Sequence, residues 1–159
     1  MVYLSKITEL NKQDYFKNLG VEPLSLEFNS TYFANKVKNK KIAVKKILMD
    51  NKIVVGVGNI YASESLFLAG IDPQKEAVSL NENELGLLVE TIKQVLTNAI
   101  NKGGTTLKDF VGGDSKPGYF KQELNVYNRN KQPCFNCNNL IAKVIQGGRA
   151  SFFCPNCQR

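Results

Sequence analysis

The clearest pattern in the chain runs from Ser79 to Gly104. Leu85, Leu88, Val89, Ile92, Val95, Leu96, Ala99 and Ile100 recur at three- and four-residue intervals. That spacing lines one face of an α-helix with apolar side chains. Ser79-Leu80-Asn81-Glu82 reads as a capping box ahead of it, and Gly103-Gly104 as its stop. A stripe of this period is core rather than a cofactor surface. Upstream the helical period returns in shorter pieces. Ser25–Phe28 opens a helical region, and Ser30 is the N-cap candidate for a helix with Phe33 and Val37 on one face. A second helix is expected from about Lys41 to Met49, with Ala43, Ile47 and Leu48 inward and Lys41, Lys45 and Lys46 outward. Residues 1–24 read as an entry segment: a strand end at Val2–Leu4, a short helix over Leu10–Leu19, and a turn at Gly20–Pro23.

Between the helices lies Val54-Val55-Gly56-Val57-Gly58-Asn59-Ile60. Two glycines two apart, before the helical stretch Ile60–Ala69, predict a tight turn. Glycine there lets backbone N–H groups approach a phosphate at a helix N-terminus. Asn59 is placed to cap that helix and to donate a hydrogen bond outward. A lone G-x-G is more often only a turn.

The pattern changes after residue 104. Val111–Gly118 is polar and glycine-rich, the composition of a connector. From Tyr119 it turns extended, with Phe120, Leu124, Val126 and Tyr127 leading into four cysteines. Leu140–Ile145 and Ala150–Phe153 are expected to pair as a hairpin around Gly147-Gly148-Arg149, which exposes Arg149 at the tip. By itself that residue is equally an ordinary surface arginine.

The cysteines are Cys134, Cys137, Cys154 and Cys157: C-x2-C, sixteen residues, then C-x2-C. Two knuckles at this spacing place four thiolates around one Zn²⁺. Disulfides are the alternative. Met1–Lys12 has no signal-peptide apolar centre, and two C-x-x-C pairs alone are an unusual disulfide framework.

Composition narrows the function. The chain has 159 residues, 43% of them hydrophobic, enough for one ordinary domain or a small domain with a metal-stapled module. No apolar run reaches a membrane span. Formal net charge is +7, and seven lysines fall between Lys36 and Lys52 against one acid, Asp50. This favours an anionic partner, although a charge run is often just a solvated face. The absence of histidine removes histidine acid–base chemistry and histidine metal ligation.

Taken together, four blocks resemble the bacterial formamidopyrimidine-DNA glycosylases. Met49-Asp50-Asn51-Lys52 through Gly56-Val57-Gly58-Asn59-Ile60-Tyr61-Ala62-Ser63-Glu64 is similar to that family's helix–two-turn–helix. Gly103-Gly104-Thr105-Thr106-Leu107-Lys108-Asp109-Phe110 and Lys116-Pro117-Gly118-Tyr119-Phe120 resemble later family blocks. The four-cysteine ribbon with Gly148-Arg149-Ala150-Ser151-Phe152 also resembles the family's own. The resemblance covers nearly everything from Leu19 onward. It implies a mainly α fold: a linker or remnant of an N-terminal domain over 1–24, a helix–two-turn–helix domain over 25–118, and a β-hairpin zinc ribbon over 119–159.

The resemblance also implies roles. The family removes oxidised purines and then cuts the abasic strand. Asn59 and the Gly56–Gly58 turn would hold phosphate beside the lesion, and Lys41 and Lys45 would line the DNA path. Arg149 would grip a phosphate flanking the everted nucleotide and join the last elimination. A lesion loop of Gly112, Gly113, Asp114, Ser115, Lys116, Pro117, Gly118 and Tyr119 would close on the base. Such enzymes evert their target and offset the unstacking with phosphate and loop contacts. The family's proline nucleophile, its glutamate and its hairpin lysine have no counterparts here. The expectation is therefore the DNA-binding half of a repair enzyme: a fragment, a split product or an incomplete gene model. Its partners would be damaged duplex DNA and, for a split product, a separate catalytic domain. A bacterial cytoplasmic location at the nucleoid, no membrane and a monomer complete the reading. The alternatives are a stand-alone zinc-containing DNA-binding module and a ribosome- or protein-binding ribbon.

Overall fold

The computed structural model describes residues 18–103 and 124–159. Four helices come first: α1 (Ser30–Val37), α2 (Val44–Leu48), α3 (Asn59–Leu68) and α4 (Glu82–Asn101). A short 3₁₀ turn, Ala77–Ser79, precedes α4. The hairpin strands β1 (Ala142–Gln146) and β2 (Arg149–Phe153) follow. The fold is thus mainly helical with a two-stranded antiparallel sheet at its C-terminal end. Val2–Leu4, nearly all of Leu10–Leu19, Gly104 and the stretch from Val111 to Phe120 lie outside the described residues.

The α4 stripe forms the spine of the core. Leu85, Leu88, Val89, Ile92, Val95, Leu96 and Ala99 are buried, while Ile100 near the C-terminal end of α4 is 63% exposed. Phe28, Phe33, Val44, Ile47, Leu48, Leu66 and Ile71 pack around it. Helix α3 is buried on nearly every side, from Ala62 to Phe67. Its small residues Ala62, Ser63 and Ser65 let α4 and β2 close on it. Phe67 passes out of the helical core into a second cluster with Val126, Cys134, Ile141, Phe152 and Cys154. One helix therefore seeds both halves of the molecule.

Several boundaries differ from the sequence reading. The capping box is real but two residues later: the Asn81 side chain accepts from Glu84 N–H, and Glu84 returns to the Asn81 N–H. Ser79 is instead used by the 3₁₀ turn. Asn29, not Ser30, caps α1 by accepting from Tyr32 N–H at 2.9 Å. Ser25–Phe28 is bends rather than helix. Helix α2 has five residues because the chain before it pairs with the 75–78 segment, through Val44 N–H to Lys75 O and Ala77 N–H to Ile42 O. Residues 124–130 are turns and bends, not an extended run. The described end of the entry segment, at Gly20 and Val21, is tied down as well. Gly20 N–H donates to Asn51 O at 2.7 Å, and Val21 bridges Val54.

The two turns that matter have glycines where the backbone requires them. Gly56 has φ +76°, a left-handed position that a Cβ would strain. Gly147 and Gly148 have φ +56° and +75°, the double-positive geometry of a two-residue hairpin loop. The pair Gln146↔Arg149 closes that loop. Arg149 is therefore the first residue of β2, not part of the turn.

The displaced capping box gives a discriminating test. Asn81→Ala should lower unfolding free energy in urea by about 1 kcal/mol. Ser79→Ala, which removes one exposed local hydrogen bond, should cost clearly less.

Candidate nucleic-acid interface and zinc centre

One carbonyl of the hairpin takes hydrogen bonds from two of the helical segments. Lys45 Nζ donates to Ala150 O at 3.2 Å and to Ser151 Oγ at 2.8 Å. Asn59 Nδ2 donates to the same Ala150 O at 3.0 Å. Two donors, from α2 and from the start of α3, thus share one acceptor on β2. Lys45 is only 1% exposed. This corrects the expectation that it stands on the outer face of its helix. The hairpin lies against Lys45 and supplies acceptors for an ammonium that would be costly to bury without them.

Burial lowers the Lys45 pKa from 10.5 to about 8, and the neighbouring Arg149 charge acts in the same direction. Among the described residues no carboxylate pairs with either cation. Arg149 is exposed beside this buried ammonium. Two like charges held together without a counter-ion make a site that favours an anion.

The start of α3 points the same way. Its N-cap is Gly58, with φ −80° and no side-chain cap. This replaces the expected capping by Asn59, whose amide is committed to the hairpin instead; its Oδ1 is buried without a partner. A Cβ at Gly56 or Gly58 would meet nothing within 4 Å. Exposed glycines before an uncapped helix start leave room for a ligand oxygen near the positive end of the helix dipole. Lys41 and Lys46 are exposed on the preceding segment, and the Lys46 stem lies against the hairpin tip, 3.7 Å from where a Gly147 Cβ would be. Asn59 thus joins the residue next to Arg149, and Gly56 and Gly58 precede it in the same turn. Lys45 is there as a support. The lesion-loop residues 112–119 lie outside the described residues.

The four cysteines converge as the spacing predicts. Their Sγ atoms all lie within 4.8 Å of one another. Cys134 and Cys157 are 3.9 Å apart, and Cys137 and Cys154 are 3.4 Å apart. Tetrahedral Zn–S bonds of about 2.3 Å require thiolates about 3.8 Å apart. The set suits one structural zinc ion, with all four positions filled by protein. Hydrogen bonding from the Asn139 backbone lowers the Cys137 pKa to about 6, whereas the adjacent Cys137 sulfur is first among the groups that raise Cys157 to about 12. Four thiolates can share so small a space only with a cation among them.

Sequence reading missed the residues that weld the ribbon on. Glu64 is 2% exposed and accepts from Asn125, Val126 and Tyr127. Gln158, also 2% exposed, accepts from Cys154 N–H and donates to Ile71 O at 2.8 Å. Gln146 Nε2 reaches Pro73 O at 3.1 Å. An acid inside an otherwise small and apolar helix was the only available signal, and it named no partner.

Fold and site together define a helix–two-turn–helix protein with a four-cysteine zinc ribbon beside a basic, uncapped helix start. Residues 19–111 match the formamidopyrimidine-DNA glycosylase H2TH domain, and residues 131–159 the zinc finger found in FPG and IleRS. The chain is 54% identical over 159 residues to a formamidopyrimidine-DNA glycosylase of Rickettsia bellii, covering all of this chain and 58% of that protein. It is 54% identical over 150 residues to the Proteus mirabilis protein of the same name, covering 94% of this chain and 55% of that one. The MutM (Fpg) crystal structure from Thermus thermophilus superposes with a TM-score of 0.87 at 37% identity, over 92% of this chain and 56% of that one. The Lactococcus lactis Fpg complex with abasic-site DNA superposes equally, with a TM-score of 0.87 at 33% identity, over 96% of this chain and 56% of that one. This chain belongs to the formamidopyrimidine-DNA glycosylase family, and it spans less than two thirds of the length of these relatives.

Two outcomes follow. Lys45 has a lower pKa folded than unfolded, so between pH 8 and 10.5 the unfolded chain binds more protons. Stability from this group therefore rises with pH across that window. Denaturation midpoints of the zinc-loaded chain should climb relative to Lys45→Met as pH rises through it. Second, a strong chelator should release one zinc per chain by atomic emission, and the hairpin amides should lose exchange protection while α4 keeps its own.

Proposed function

We propose that this chain is the DNA-gripping part of a base-excision repair glycosylase and AP lyase that acts on oxidised purines in duplex DNA. The observation that carries it is that Asn59, at the start of α3, bonds the residue next to Arg149, beside a lysine that no carboxylate among the described residues pairs with. Family membership and the damaged-DNA complexes among the similar structures support it. In this reading the Gly56–Gly58 turn and the second Asn59 amide hydrogen hold one backbone phosphate. Arg149 holds the next, flanking the everted nucleotide, and there assists the last elimination. Lys41 lies along the DNA path, and Lys45 acts on DNA only through the hairpin that it supports. The 112–119 loop covers the everted base. Base removal and strand cutting require an N-terminal catalytic domain, in the same protein or as a partner chain. The protein works as a monomer in the bacterial cytoplasm, at the nucleoid. Among the described residues no helix is long and apolar enough to cross a membrane.

The zinc ion supplies no chemistry in this scheme. It closes the ribbon so that β2 presents Arg149 from a fixed strand.

A gel shift tests the reading, on one duplex with a single abasic site and one undamaged duplex, across a salt series. Both should bind, with affinity falling steeply as salt rises. Arg149→Ala should weaken both and reduce the salt slope by about one, with zinc content unchanged. Salt-independent binding, or a preference for structured RNA, would contradict it.

A further inference from the structure

Glu64 is the least expected group in the molecule. It is a carboxylate, 2% exposed, in the middle of the helix that begins with Asn59. Neither the zinc centre nor the anion site uses it. Its two oxygens accept four hydrogen bonds from one short segment of the ribbon. Oε2 takes Asn125 N–H at 2.8 Å and Asn125 Nδ2 at 3.0 Å. Oε1 takes Val126 N–H at 3.0 Å and Tyr127 N–H at 2.9 Å. Three successive backbone N–H groups aimed at one point form an anion nest, here filled by the protein's own carboxylate. Charge-assisted bonds of this kind are short and strong, and every lone pair is engaged.

The clamp connects two positions of the anion site. At one end Glu64 lies five residues along α3 from Asn59. At the other, Tyr127 packs edge-on against Phe152 of β2, with ring centroids 5.2 Å apart. Phe152 lies three residues from Arg149 on that strand. Arg129 is tied in through its bond to Asn125 O and stacks 3.5 Å over Phe135 in the first zinc knuckle. The chain of contacts therefore runs from the Asn59 helix, through Glu64, to the strand that carries Arg149.

We propose that Glu64 is a positioning residue that sets the placement of Arg149 relative to Asn59, and so tunes the grip on two successive phosphates. This rests on the DNA reading above. It has an unusual sign. Removing a negative charge from a DNA-binding protein strengthens binding by electrostatics alone. Removing this one weakens binding, because an amide in place of the carboxylate turns an NH₂ toward N–H donors and leaves buried donors unsatisfied.

The test uses the full zinc-loaded chain and the abasic duplex. Glu64→Gln should bind about tenfold more weakly than wild type, and by a factor of about two or less once Arg149→Ala is already present, because the two act through one contact. Glu90→Gln, an exposed acid on α4, should bind at least as well as wild type. Asn125→Ala removes one of the four donors and spares the backbone, so it gives a gentler version with the same dependence on Arg149 if Glu64→Gln does not fold. A wild-type chain that fails to bind removes the DNA reading and this inference together. Wild-type binding with an unweakened Glu64→Gln, or an equal loss with and without Arg149, overturns this inference alone.

Discussion

The shared acceptor at Ala150 is the constraint on which the site depends. A lysine at 1% exposure is costly to bury, and its lowered pKa records that cost. What offsets it is the hairpin: a carbonyl and a hydroxyl placed to receive the ammonium, with Asn59 on the same oxygen. The cost secures geometry. If the hairpin moved, Lys45 and Asn59 would lose their acceptors together, so Arg149 is held beside the α3 start rather than swinging on a surface ribbon. Buried polar contacts of this kind specify one arrangement more than they stabilise it.

Zinc and the carboxylate at Glu64 complete that logic from the far side. The ribbon has too small a core to hold its own shape, being a two-stranded sheet and two knuckles. Metal fixes it internally, and Phe67 ties its core to α3. Glu64, Gln158 and Gln146 then fix its orientation at three separate points. The outcome is one surface built from two sequence-distant pieces, on which, among the described residues, no carboxylate pairs with Lys45 or Arg149. That imbalance is unfavourable for the isolated chain and favourable once a polyanion arrives.

Much of this was legible beforehand for simple reasons. The α4 stripe repeats over about four turns, so its period is unmistakable. The cysteine spacing is a geometric statement, and Gly147-Gly148 can hardly be read other than as a hairpin loop. The details that failed did so where tertiary contacts outweigh local preference. Ser79 and Asn81 both suit a cap, and only the 3₁₀ turn decides between them. Lys45 looks like one lysine of a solvated run until the hairpin is placed against it. Asn59 looks like a cap until its amide is seen bonded to residue 150. Glu64 and Gln158 find partners more than sixty residues away, and no local pattern announces those. The site was therefore readable as a set of residues, but not as a division between those that face the ligand and those that hold the frame.

The central claim is that helices and hairpin form one rigid frame. Residual dipolar couplings of the ¹⁵N-labelled, zinc-loaded chain test it directly. The account predicts that a single alignment tensor fits the amides of α3, α4, β1 and β2 together. Two distinct tensors, one for the helices and one for the hairpin, would show that the Ala150 junction does not fix Arg149 in place, and would contradict it.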